Sequence, residues 1–146
     1  MSYSTAIAAL SKPPPKAIVV KLVIPEGYTR RQIAQLAGED ALSGGIYYLQ
    51  FAGGNLFGYY GYLSSSILYH QDMGYEAFIP SSGSSIYFYD FASAHWWYSS
   101  ASLFPYLYDF TLNTFIYYFP DTKNAGHYTT NPRYFSNLTT GKIFTM

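Results

Sequence analysis

A mainly β fold, an antiparallel meander of about five aromatic hairpins with a small strand-helix cap at its start, is what this sequence predicts. Three observations point there. Aromatic residues make up 21% of the 146, chiefly 18 Tyr and 11 Phe, and Tyr and Phe favour a pleated, half-buried surface over a helix. One phrase recurs: a strand-forming run, a short polar link, then a second aromatic run, which reads as a β-hairpin. The residue before the turn-side apolar position marks each copy. The markers Gln50, His70, Asp90, Asp109 and Asn137 fall about twenty residues apart until Asp121–Thr130 inserts a longer loop.

Taken in order, residues 1–16 read as a flexible arm, stiffened by Pro13-Pro14-Pro15, which neither a helix nor an inner strand tolerates. Ala17–Ile24 is a β-branched strand ended by the turn signal Pro25-Glu26-Gly27. Thr29 with Gln32 forms a capping box, Ile33, Leu36 and Ala37 give a short apolar stripe, and Gly38 supplies a stop, so one helix is expected within Thr29–Leu42. Residues 17–44 thus form the cap, and Gly44-Gly45 marks the start of the aromatic repeat domain, 45–146. Its five turns are expected at Ala52–Asn55, Gln71–Gly74, Ala92–His95, Thr111–Thr114 and Thr139–Lys142. Serine-rich links at Ser64–Ser66, Ser81–Ser84 and Ser99–Ser102 join the hairpins.

Both alternate faces of these strands are apolar or aromatic. In Ile86–Phe91, Ile86, Phe88 and Asp90 point one way while Tyr87, Tyr89 and Phe91 point the other. A sheet wetted on one side alternates apolar with charged residues, so the second face is expected to pack on another layer or to bind something. Tyr suits either role, having an apolar ring and a polar tip.

Two resemblances follow from quoted residues. Ile24-Pro25-Glu26-Gly27-Tyr28-Thr29 and Arg31-Gln32-Ile33-Ala34-Gln35-Leu36-Ala37 resemble the LysM-like segment of endolytic murein transglycosylases, over residues 17–42. Trp96-Trp97-Tyr98, Ile116-Tyr117-Tyr118, Arg133-Tyr134-Phe135 and the return Gly141-Lys142-Ile143 are similar to the choline-binding and glucan-binding repeats of bacterial surface proteins, without the Gly-Trp that opens those repeats. The body as a whole, with Phe104–Phe110 and Tyr117–Phe135, resembles uncharacterised Tyr-rich C-terminal domains of secreted bacterial proteins. These resemblances imply a glycan or cell-wall polymer as partner and a secreted or cell-surface location. Residues 1–12 nonetheless lack a basic n-region and an apolar h-region.

Charge and composition narrow the function. Net charge is zero, every Lys and Arg lies in 12–31 or 123–142, and the aromatic body between them carries only acids. Without a basic footprint to meet phosphates, nucleic acid is excluded as a partner. No run approaches the ~18 apolar residues of a membrane helix, so no membrane span is expected. With no cysteine there is no disulfide framework and no thiolate chemistry.

No catalytic set emerges, and the chain is read as not an enzyme. Tyr75-Glu76-Ala77-Phe78-Ile79-Pro80 is similar to the catalytic-Glu motif of the same transglycosylases but is one residue short, and Glu76 is read as a solvent-facing strand residue. Asp90 and Asp109 hold equivalent repeat positions, which points to a shared task of bonding turn amides. His70, His95 and His127 are irregularly spaced, so no metal and no cofactor is expected. The candidate ligand site is aromatic: Trp96 and Trp97, one facing in and one out, with Tyr98, Tyr59, Tyr60, Tyr117 and Tyr118, and with Asp90 and Asp109 adding hydrogen bonds or counter-charge. The function expected is a non-catalytic binding module for cell-wall or other glycans at a bacterial surface. The alternative is a structural, self-assembling β domain whose Tyr-rich faces meet other copies in a homo-oligomer.

Overall fold

The computed structural model describes residues 39–51, 53–80 and 85–146. The expected arm, the strand Ala17–Ile24, the start of the helix expected within Thr29–Leu42 and the link Ser81–Ser84 lie outside the described residues; Glu39–Ala41, inside that helix range, is a strand. The rest is one sheet of eleven antiparallel strands whose spatial order is its chain order. The strands are β1 (Glu39–Ala41), β2 (Ile46–Gln50), β3 (Leu56–Tyr62), β4 (Ile67–His70), β5 (Gly74–Pro80), β6 (Ser85–Asp90), β7 (His95–Ser100), β8 (Tyr106–Asp109), β9 (Thr114–Tyr118), β10 (Tyr134–Asn137) and β11 (Ile143–Thr145). Ten of them make the five expected hairpins, β2-β3 through β10-β11. β1 is an addition, pairing Asp40 with Tyr48 across a tight turn at Ser43–Gly45. Gly44 and Gly45 hold φ of 72° and 76°, which L side chains rarely adopt, and that is why a glycine pair stands there. Among the described residues the sheet therefore opens at Glu39, ahead of residue 45.

Side chains of successive residues point to opposite faces. In β6, Ile86, Phe88 and Asp90 are buried on an inner face while Tyr87 and Tyr89 are half-buried on an outer one. Inner residues make one cluster that includes Leu49, Phe57, Tyr60, Phe78, Phe88, Trp97, Phe104, Ile116, Tyr118 and Phe135.

That cluster requires the sheet to curl. Phe57 on β3 and Phe88 on β6 are three strands apart, roughly 14 Å in a flat sheet. Their ring centroids stand 5.9 Å apart, stacked at 13°. Phe104, in the link after β7, meets Phe51, Phe57 and Tyr128. Trp97 meets Phe135, which stacks on Tyr118 at 4.7 Å. The right-handed twist of adjacent strands brings the inner rings of distant hairpins together, and burying each large ring stabilises by about 1.5–3 kcal/mol. Among the described residues no helix is long and apolar enough to cross a membrane.

Candidate functional site

The repeat markers fix the hairpin ends. His70 Nδ1 accepts the backbone N–H of Asp72 and Met73, both at 3.1 Å. Asp109 Oδ1 accepts Thr111 and Leu112 at 2.9 and 2.8 Å. Asn137 Oδ1 accepts Thr139 and Thr140 at 2.9 and 3.0 Å. Asp90 accepts Ser93 N at 2.8 Å and also the Ser93 hydroxyl. Four residues of three types thus do one job, satisfying turn amides two or three residues ahead. Gln50 departs from it, donating instead to the Gly54 carbonyl at 3.3 Å. His70 is neutral: its Nδ1 is occupied as an acceptor, and its Nε2 donates to the Phe57 carbonyl at 2.7 Å. Burial pushes its pKa down to about 4.

The inner ends of the hairpins carry a buried polar network. Arg133 Nη1 and Nη2 each donate to Asp90 at 2.8 Å, while Nη1 also reaches the Met73 carbonyl and Nε the Met146 carbonyl. Burial alone would raise the Asp90 pKa, but the two Arg133 bonds outweigh it and hold the carboxyl below its ordinary range. Glu76 sits directly opposite Asp90 on β5, wholly buried, which corrects the expectation of a solvent-facing residue. Curling turned its face inward. Burial first, and then the Asp90 charge, raise its pKa well above the usual value and favour the neutral acid, whose proton is donated to the Asp90 carboxylate opposite. Asp109 also accepts Trp97 Nε1 at 2.8 Å and His95 Nδ1 at 2.7 Å. Asp72 takes His127 Nδ1 and Tyr128 N, both at 3.0 Å, and so ties the long loop to the β4-β5 turn. Among the described residues no cluster of three or more His, Cys, Asp or Glu is placed to hold a metal.

The expected ligand residues divide between two environments. Trp97 is wholly buried and Trp96 is 5% exposed, so the expected exposed Trp is absent. The two do alternate: Trp97 belongs to the inner core, whereas Trp96 lies on the outer face under Tyr89, at 5.4 Å, with its Nε1 unpaired. Tyr60, Tyr118, Asp90 and Asp109 are buried as well, each already bonded or packed within the core. A ligand has no access to these six residues. Tyr59, Tyr98 and Tyr117 keep partly exposed rings.

The accessible aromatics form a row that was not foreseen. Ile79 pairs with Tyr87, Tyr87 with Tyr98, Tyr98 with Tyr108 and Tyr108 with Phe115, so five consecutive strands, β5 to β9, place one outer side chain each on a line across the sheet. Tyr87 and Tyr98 are 5.1 Å apart, as are Tyr108 and Phe115. Tyr106 and Tyr117 flank the row at 4.9 Å from each other, and Tyr69 and Tyr75 extend the aromatic surface to β4 at 5.0 Å. Tyr69, Tyr75, Phe91, Tyr106 and Phe115 are among the most exposed large apolar residues. The signal was in the sequence: the row lies three residues before Asp90 and one before Asp109, once the markers are placed in register.

No family model, curated protein or solved structure matches this chain. Function is therefore argued from the surface itself.

Proposed function

We propose that the chain is a non-catalytic module that binds cell-wall or other glycans at a bacterial surface through the outer row Tyr87, Tyr98, Tyr108 and Phe115. The carrying observation is that row: four aromatic rings on consecutive strands, half-buried to exposed, in register across the sheet. An exposed apolar patch rimmed by polar groups marks an interaction site. Tyr presents a rigid apolar ring and a wet hydroxyl, which match the C–H face and the hydroxyls of a pyranose. Strands lie about 4.8 Å apart, so alternate strands repeat at about 10 Å, close to the length of one disaccharide unit in an extended β-linked polymer. An elongated glycan lying across the strands meets a ring at each step.

The test is titration of the full chain with a panel of oligosaccharides, followed by amide and aromatic NMR shifts. Expected affinities lie between millimolar and micromolar, roughly 4–8 kcal/mol. Tyr87→Ala and Tyr108→Ala should each weaken binding about ten-fold with little change in melting, since surface substitutions cost about 0.5 kcal/mol. A panel in which no oligosaccharide moves an outer-row signal removes the reading.

The self-assembling alternative is favoured by a different observation. Beside β11, the last strand of the sheet among the described residues, Leu138 and Ile143 are 50% and 64% exposed, and Phe119, Pro120, Thr129, Tyr134 and Ile143 line an apolar cleft of about 350 Å³. An open apolar edge pairs with other chains. Sedimentation of the chain beside Ile143→Lys separates the two: mass that falls with the lysine supports assembly, and an unchanged monomer rejects it.

A further inference from the structure

At the other end of the hairpins lies a cleft of about 360 Å³, bordered by the β4-β5 turn and by the segment before β10. Tyr69, Gln71, Met73, Thr130, Asn131 and Arg133 are among its walls. We propose that this cleft is a second binding site, separate from the aromatic row, for a single neutral, hydroxyl-rich ring such as one pyranose.

Three observations set the ligand class. The first is charge. The ionisable groups lining the cleft, Asp72 and Arg133, are spent inside the protein: Asp72 on His127 and Tyr128 N, Arg133 on Asp90 and two carbonyls. Neither of these two charges is left to attract an ion, which favours a neutral ligand. The second is the polar groups left over. Among the described residues the side chains of Gln71, Thr130 and Asn131 are exposed and hold no hydrogen bond, which leaves two amides and a hydroxyl around one opening. An amide offers both donor and acceptor, as a sugar hydroxyl does, so a neutral polyol is matched where a carboxylate or an ammonium is not. The third is shape. The Tyr69 ring, 43% exposed, makes an apolar wall, and Met73 and Met146 add adaptable surface. The volume is near the lower end of ~300–1,000 Å³ for small-molecule clefts, which fits one ring rather than a chain.

The frame is preorganised. His70 pins the turn on one side, Arg133 ties Met73 to Met146, and the Asp72 contacts hold the long loop, so the three polar side chains project from fixed backbone. Asn131, with φ of 49°, sits in a region that Asn tolerates better than most residues, which holds its amide at this rim.

The experiment uses the full chain, labelled with ¹⁵N, and the methyl glycosides of glucose, galactose and N-acetylglucosamine as probes, each to ~100 mM, well above a millimolar affinity. The side-chain amides of Gln71 and Asn131 should shift together, with one dissociation constant. Gln71→Ala, and Asn131→Gly, which keeps the backbone conformation, should each weaken binding about five-fold, the worth of one hydrogen bond. Tyr108→Ala should leave it unchanged, so loss of the row and loss of the cleft are told apart. No amide shift with any glycoside overturns the proposal. So does equal or tighter binding of acetate or phosphate, and so does an affinity that survives both substitutions.

Discussion

Asp90 and Arg133 meet through two parallel hydrogen bonds of 2.8 Å across a separation of 43 residues, wholly inside the protein. The pair joins the β6-β7 hairpin to the segment entering β10, and through the Met73 carbonyl it also holds the β4-β5 turn. Three hairpins that are remote in sequence are thereby locked at one end of the curled sheet.

Removing one member leaves the other charged and unpaired in the core. Arg133→Met should cost about 3–5 kcal/mol in urea unfolding, and the double variant Arg133→Met/Asp90→Leu should recover a large part of that loss. A single variant as stable as wild type would show that the pair is not holding the hairpins.

Glu76 makes stability depend on pH in an unusual direction. Its folded pKa is raised above the ordinary 4.5, so the folded state keeps a proton that the unfolded state releases. Stability from this group is complete below 4.5 and is lost as pH rises toward the folded value, at about 1.4 kcal/mol per pH unit. Glu76→Gln has no proton to lose. The variant should therefore gain on wild type as pH rises above 4.5 in paired unfolding curves. A difference that stays constant over that range refutes the assignment.

The adjacent tryptophans should respond oppositely to loss of the indole N–H. Trp97 Nε1 donates to a buried carboxylate, whereas Trp96 Nε1 is buried without a partner. Trp97→Phe is expected to lower stability by about 1.5–3 kcal/mol, and Trp96→Phe to stay within about 1 kcal/mol of wild type or to gain. Thermal melting of the two variants decides it; equal losses would mean that the hydrogen bond is not what distinguishes them.

Asp109 and Asn137 do the same work on their turns at different depths. Asp109 is wholly buried and also satisfies Trp97 and His95, while the Asn137 bonds lie at the surface. Asn137→Ala should cost about 1 kcal/mol and Asp109→Ala at least about 3 kcal/mol. Chemical denaturation measures both, and comparable costs would place the Asp109 contribution in the turn alone.

The sequence by itself determined the ten strands of the five hairpins, their turns and the turn role of Asp90 and Asp109. These are short-range properties: alternation, turn chemistry, and a side-chain acceptor two or three residues from the amide it serves. Asp90 and Asp109 could be read that way because everything they do for their turns lies within three residues. What only the tertiary structure decided was which face became the interior. Both faces of a strand such as Ile86–Asp90 are aromatic or apolar, so composition does not choose between them. Curling chooses, and it depends on twist summed over many strands and on contacts such as Phe57 with Phe88. It buried Trp97, Tyr60, Tyr118 and Glu76, and it left Tyr87, Tyr108 and Phe115 on the other side. Arg133 sits in an aperiodic stretch, far along the chain from Asp90 and Met73, and only the folded sheet brings its guanidinium to both.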